Sequence, residues 1–367
     1  MVTQSLPTAD VRSLVEQLLL DALRQRASDL HLEPVADGCE LRCRIDGILE
    51  TRQRLEAATG RAAVARLMVM ARLLTYRLDV PQEGRITFAC DGREVELRLA
   101  VMPTIHGLRA AVRMPAEQLQ PATLVELGLS ESVLDGLRRF AASDAGMLIL
   151  TGPAGSGKTT TIYALLAHIV ATQPGLSVIA LEDPVERDLP GVTQIEVSPF
   201  GQLTYERALR SILRQDPQVL MLGEIRDAAT AMLAMQAALS GHRLITTLHA
   251  STPGGAIGRL LEMGIEPYQL TSSVNSILSQ RLVRRRFSES VGQSGYRGRA
   301  PLAEFVLVDS GLKEAILQRQ DSDALARIYC RQAGYQSLLD SGHLLVQQGV
   351  TDDAELTRVL GQAAGQR

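Results

Sequence analysis

The chain has no tryptophan, and aromatic residues make up only 3% of its 367 positions. Its helices must therefore draw on Ala, Leu, Met and Arg, all good helix formers. The four cysteines, Cys39, Cys43, Cys90 and Cys330, include no Cys-x-x-Cys pair. Cys39 and Cys43 fall on one face of an expected strand, too far apart along it to bond locally. A disulfide framework or zinc site is thereby disfavoured, and buried reduced thiols are expected. No stretch approaches the roughly 18 uninterrupted apolar residues of a membrane span, and no basic segment leads into an apolar leader. A cytosolic chain is expected, meeting a membrane only through a partner. There is no basic excess either: a net charge of −3 does not mark a dedicated nucleic-acid binder.

What is present centres on residues 147–160, MLILTGPAGSGKTT. An apolar run breaks into a glycine-rich turn and restarts as a helix after Lys158. The match to G-x-x-x-x-G-K-[ST] is complete in its strand–turn–helix context. Gly152, Pro153, Ala154, Gly155, Ser156, Gly157, Lys158, Thr159 and Thr160 are the candidate ATP-binding residues. Backbone N–H groups would cradle phosphates, Lys158 would reach the β- and γ-phosphates, and Thr159 would ligate Mg²⁺.

Around this turn the patterning divides the chain. Residues 1–10 are expected as a flexible tail, with Asp10 capping a helix over 11–26. Residues 11–114 read as an α+β domain. Its strands are expected at 30–34, 39–45, from 48, at 85–89, at 93–101 and from 107 to 114, with a helix over 59–75. Prolines at 115 and 121 mark a linker over 115–128. Residues 129–280 alternate apolar strands with helices, the mark of a largely parallel α/β sheet covered on both faces. Beyond about 252 a mainly helical chain is expected, with one strand at 302–308, and 281–367 is taken as a helical subdomain. Its helices are placed at about 311–318, 321–332 and 351–360.

Three further groups fall at strand ends, where an open α/β sheet binds its ligands. Glu182, Asp183 and Glu186 follow the strand VIAL; they suit Mg²⁺ and the placing of a water, or else form a solvated acidic loop. The segment VLMLGE ends on Glu224, with Gly223 where a Walker B aspartate usually stands. Glu224 and Asp183 join Thr159 as Mg²⁺ candidates. His242 and His249 bracket RLITTL; His249 could report the γ-phosphate, and a satisfied core histidine is the alternative for each. A transferring phosphoryl group also needs cations. Arg210, Arg214 and Arg226 are available in the α/β part, and Arg85, Arg93, Arg98, Arg109 and Arg113 in the first domain.

With these motifs in order, the chain resembles the secretion-ATPase superfamily of type II secretion and type IV pilus assembly, the GspE/PulE/PilB group. The resemblance rests on SDLHLEP (28–34), RCRIDG (42–47), PQEGRI (81–86) and PTIHG (103–107) in the first half. It continues in GPAGSGKTT, LEDPVE (181–186), LRQDPQVLMLGEIRD (213–227), SGHRLITTLHA (240–250) and GYRGRAPLAEF (295–305). It implies a RecA-like P-loop core preceded by a smaller PAS-like domain, acting as a homo-hexameric cytoplasmic ATPase at the inner membrane. It further implies ATP and Mg²⁺ as cofactors, an inner-membrane platform protein as partner, and a regulatory or docking protein beside it. Arg98 and Arg113 become the arginines that complete a site, Glu182 and Glu186 water-placing groups, Glu224 a Mg²⁺ and water residue, and His249 the γ-phosphate sensor. Residues 284–298 carry no cysteine, so the zinc module of many relatives is not expected. The chain starts almost at the PAS-like domain, so a short form without the extra amino-terminal domain is expected. Alternatives are a retraction motor, a DNA-translocating ATPase resting on Arg284–Arg286, and a non-enzymatic scaffold.

Overall fold

The computed structural model describes residues 11–115, 123–197, 201–287 and 295–361. The expected tail at 1–10, the Asp10 cap and residues 116–122 of the linker lie outside them. The chain divides into two units, Met1–Gln120 and Pro121–Arg367.

The first unit runs α1 (Val11–Arg24), β1 (Asp29–Val35), β2 (Gly38–Ile45), β3 (Ile48–Leu55), α2 (Ala57–Met70), β4 (Gln82–Cys90), β5 (Arg93–Thr104) and β6 (Gly107–Arg113). Its strands form one antiparallel sheet in the order β3-β2-β1-β6-β5-β4. Two hairpins turn at Asp46-Gly47 (φ 48° and 86°) and Asp91-Gly92 (φ 50° and 77°). Positive φ at both central residues matches the twist of the flanking strands. On β5, Leu97, Leu99 and Val101 enter the core while Glu96, Arg98 and Ala100 face out. Helices α1 and α2 pack with those inward residues into one apolar cluster. Helix α2 stops at Met70 instead of about 75. Arg72 takes φ 57°, and the Gln82 side chain binds the backbone of Leu74 and Arg77 in place of further helical bonds.

The second unit continues with α3 (Glu131–Ala141), β7 (Gly146–Thr151), α4 (Lys158–Thr172), β8 (Val178–Glu182), β9 (Thr193–Glu196), α5 (Tyr205–Ile212), β10 (Val219–Leu222), α6 (Ala228–Leu239), β11 (Arg243–Leu248), α7 (Pro253–Glu262) and α8 (Pro267–Ser273). It closes with β12 (Val274–Arg286), β13 (Tyr296–Leu307), α9 (Ser310–Leu317), α10 (Ser322–Tyr329), α11 (Leu338–Gln347) and α12 (Asp353–Leu360). The sheet order is β13-β12-β7-β11-β10-β8-β9, parallel throughout except for the antiparallel β12–β13 pair. Every residue of β7, β8, β10 and β11 is buried. Alternation splits β7 between two cores: Leu148 and Leu150 pack with α3 and α4, Met147 and Ile149 with residues of α6 and α8. This is a mixed α/β fold, a sheet flanked by helices on both faces, consistent with a RecA-like P-loop core.

After 252 the chain is mainly helical, as expected, and the strand expected at 302–308 falls largely in β13, which starts earlier, at Tyr296. The correction is β12, a second long strand that runs unbroken across the expected boundary at 280/281, and α11 is an additional helix. Strand β12 escapes local patterning because Ser276, Ser279 and Gln280 are buried polar residues in its middle. The thiols also divide: Cys39, Cys43 and Cys90 are buried, whereas Cys330 is exposed.

Candidate nucleotide site

Strand β7 delivers the glycine-rich turn to the mouth of the sheet, and α4 begins at Lys158. Gly152, Gly155 and Gly157 take φ of 142°, 72° and 89°, a range that side-chain-bearing residues rarely adopt. Two of them are also sterically closed. A Cβ at Gly152 would meet Gln280 O at 2.4 Å, and one at Gly157 would meet Gln280 Nε2 at 2.6 Å. Gln280 thus seats the turn: its Nε2 donates to Ser156 O (2.9 Å), and its Oε1 accepts from Thr161 Oγ1 (2.8 Å). Beside it, Thr151 and Ser279 share a 2.6 Å hydroxyl bond. Lys158 Nζ donates to Gly152 O (2.8 Å) and Pro153 O (3.0 Å), and burial lowers its pKa. Ser156 Oγ is buried without a partner among the described residues. A helix start, a curled backbone and a folded-back ammonium fit a polyphosphate.

The strand-end carboxylates differ in their surroundings. Glu182 is buried; one oxygen accepts from Tyr163 Oη and the other from Gln194 Nε2 at 2.8 Å. Burial raises its pKa despite those donors. Asp183 accepts from Arg226 NH1 at 3.3 Å, and the Glu186 amide donates to Tyr163 Oη at 3.3 Å. Glu224 stands between Arg226, bonded to one oxygen, and His249 Nε2, 3.1 Å from the other. The chain therefore brings Asp183, Glu224, Arg226 and His249 into one network. Gly223 has a steric cause: a Cβ would lie 2.7 Å from Tyr205 Oη and 3.2 Å from Leu181 O.

His242 has a different setting. Its Nδ1 contacts Ser240 Oγ (2.9 Å) and Ala237 O (3.0 Å), the environment of a satisfied histidine closing α6. Arg210 pairs along its own helix with Glu206. Arg284, named for nucleic acid, is committed to buried Glu355 at 2.8 Å, and Arg286 lies 3.9 Å from Asp352. Gln280, Arg281, Tyr163 and Gln194 were not expected from the sequence. The break of an apolar strand by Ser-Gln-Arg at 279–281 was the available signal for the first two.

In the first unit, strand register sets Arg85 opposite Arg98, Arg98 opposite Arg113, and Arg113 opposite Asp29. Arg113 reaches Asp29 at 3.4 Å and Arg85 reaches Glu96 at 3.3 Å. Like charges directly opposite one another destabilise a sheet. Arg109 is engaged elsewhere, with Glu33 (2.7 Å) and His31 Nδ1 (3.1 Å).

A glycine-rich phosphate loop between a buried parallel strand and a helix, with carboxylates at the neighbouring strand ends, defines a P-loop nucleoside-triphosphate site. Comparison with known proteins identifies the lineage. The model of the family "Type II/IV secretion system protein" matches residues 5–358. The chain is 38% identical to type II secretion system protein HxcR of Pseudomonas aeruginosa, over 99% of this chain and 80% of that one. It is 36% identical to type II secretion system ATPase E of Vibrio cholerae, over 96% of this chain and 75% of the relative. The X-ray structure of the Legionella pneumophila ATPase DotB shares the fold, with a TM-score of 0.75 at 20% identity, covering 94% of this chain and 95% of that one. The chain belongs to the type II/IV secretion system protein family and, with its complete phosphate loop, is a P-loop ATPase.

Proposed function

We propose that this chain is the ATP-hydrolysing motor of a type II secretion or type IV pilus assembly machine. It works as a homo-hexamer in the cytoplasm and acts on an inner-membrane platform protein. The observation that carries the reading is the Glu224–His249 contact beside an intact phosphate loop. It joins a basic oxygen to a group that can feel the terminal phosphate.

ATP lies in the loop at 152–160, with Lys158 turning from the loop carbonyls to the phosphates. The fit to Mg²⁺ rests on donor chemistry. Thr159, Asp183 and Glu224 offer oxygen, the ligand of a hard cation. Among the described residues no group of three His, Cys, Asp or Glu could cage a metal. Bound at those oxygens, Mg²⁺ supplies neutralisation of phosphate charge. Glu224 orients and deprotonates the attacking water. Glu182, bonded to Tyr163 of α4 and Gln194 of β9, and Glu186 in the same acidic loop help to place that water. Arg98 and Arg113, from the PAS-like first domain of a neighbouring subunit, complete the charge stabilisation. The register that sets Arg98 between Arg85 and Arg113 supports this: Glu96 and Asp29 pair with the outer two, and an anion bound there would offset the repulsion that remains.

His249 reads the γ-phosphate, and loss of that phosphate switches the motor between two conformations. No helix among the described residues is long and apolar enough to cross a membrane. The motor passes its force to the platform protein. Names of the relatives favour assembly and secretion over retraction. The test is Lys158→Ala in the host machine with hydrolysis measured in parallel. Loss of both hydrolysis and fibre or secreted product is expected, and surviving output without hydrolysis would refute the motor. A mass measurement with and without nucleotide tests the hexamer.

A further inference from the structure

Strand β12 meets the site with two adjacent side chains. Gln280 seats the phosphate loop. Arg281, half-buried, divides its guanidinium between two backbone carbonyls, NH1 donating to Gln280 O at 2.9 Å and NH2 to Ser251 O at 2.8 Å. The first acceptor is the carbonyl of the preceding residue on β12, which reaches the phosphate loop through Gln280; the second lies in a separate loop. Gln280 O is the atom that closes Gly152, and the same Cβ position lies 3.1 Å from Arg281 NH1. Ser251 lies two residues beyond His249, in the loop leaving β11. The other end of that loop is held by Arg259 of α7, whose NH1 donates to His249 O at 2.9 Å.

The surroundings commit this guanidinium to its place. Burial lowers the Arg281 pKa, opposed by the charge of Glu304. Glu304 stands on β13 opposite Ser279, is buried, and accepts from Tyr335 Oη at 2.8 Å. A planar fork with two donor arms fixes the separation of two carbonyls, which a single flexible ammonium cannot do.

We propose that Arg281 is a positioning residue that couples the loop carrying His249 to the first turn of the phosphate loop. A filled nucleotide site and the histidine loop then move as one body. This deepens, and rests on, the reading of His249 as the γ-phosphate reporter. Arg281 itself need not touch nucleotide, since its arms are occupied by backbone oxygens.

The test uses the full chain with a non-hydrolysable ATP analogue and hydrogen exchange read separately at 152–159 and 249–252. In the unsubstituted protein the analogue protects both segments. In Arg281→Lys, protection of 152–159 persists, protection of 249–252 is lost, and turnover falls about 10- to 100-fold at unchanged KM, within the usual range of coupling between sites. Analogue-induced protection of 249–252 surviving in Arg281→Lys overturns the proposal. Parallel loss of protection in both segments overturns it too, because Arg281 would then be a scaffold of the phosphate loop alone. Should the lysine variant unfold, as judged by its melting temperature, Arg281→Gln carries the same exchange test. His249→Ala separates the two readings: wild-type turnover in that variant removes the reporter role, while the exchange pattern in Arg281→Lys still decides the coupling.

Discussion

His249 Nε2 and Glu224 Oε2 lie 3.1 Å apart, joining the chain just beyond β11 to the chain just beyond β10. The other oxygen of Glu224 is held by Arg226. A carboxylate so flanked has a fixed orientation, which general-base work requires. Glu224→Gln keeps the shape and removes the proposed base. Turnover is expected to fall by about 10²- to 10⁴-fold, with analogue affinity changed little. A variant retaining more than about a tenth of wild-type turnover would exclude Glu224 from proton transfer.

Gly223 stands where a Cβ would press on Tyr205 Oη and Leu181 O. Burial and the neighbouring acidic groups Asp183, Glu224 and Glu182 keep that phenol protonated well above its ordinary pKa, with Arg226 opposing them. Restoring an acidic side chain by Gly223→Asp should therefore damage the site. The more informative variant is Gly223→Ala, expected to cost about 1–3 kcal/mol in urea unfolding through overpacking. Adding Tyr205→Phe removes the nearest atom and should recover part of that cost. An alanine variant as stable as the parent would show that the position has room.

The closing helix α12 gives a pH-dependent contribution. Glu355 is fully buried and accepts from Arg284 Nε (3.0 Å) and NH2 (2.8 Å), from the Arg284 amide (2.9 Å), and from Arg358. Burial works to raise its pKa, but the bonds from Arg358 and Arg284 outweigh it and hold the value at about 2, below the ordinary 4.5. A depressed folded-state value means stability that is fully present above about pH 4.5 and is lost as pH falls towards 2. A shift of this size is worth about 3 kcal/mol at neutral pH. The melting-temperature gap between the parent and Glu355→Gln should be widest near pH 7 and close as pH falls below 4.5. A gap independent of pH would refute the charge-based account.

The features that were legible in the chain are those whose causes are local. Alternation along β5, the Asp-Gly hairpins and the glycine-rich turn each carry their physical reason within a few residues. Strand β12 does not. Ser279 and Gln280 are buried because Thr151, Ser156 and Thr161 satisfy them from 128, 124 and 119 positions away. No local period announces such pairing. Gly223 was visible as a departure from an acidic motif, but its cause, Tyr205, is a packing neighbour on another element. The arginines at 85, 98 and 113 could each be read as a solvated strand residue. Register makes them neighbours across three strands.

That arginine row supplies the last prediction. Arg98 is exposed on the outer face of its sheet, between Arg85 and Arg113. Removing one charge from three in register relieves repulsion, so Arg98→Ala should leave the melting temperature unchanged or raise it. Turnover should nevertheless fall by about 10- to 1,000-fold, the scale of losing a donor that stabilises developing charge. If the arginine acts on the site of a neighbouring subunit, two inactive variants can restore one another. Lys158→Ala contributes an intact arginine row, and Arg98→Ala an intact phosphate loop. Mixed oligomers of the two should recover part of the wild-type turnover, greatest near equal proportions. Absence of recovery in demonstrably mixed oligomers would place the arginine in its own subunit's site or outside catalysis. Coincident loss of stability and activity in Arg98→Ala alone would reduce the row to a structural feature.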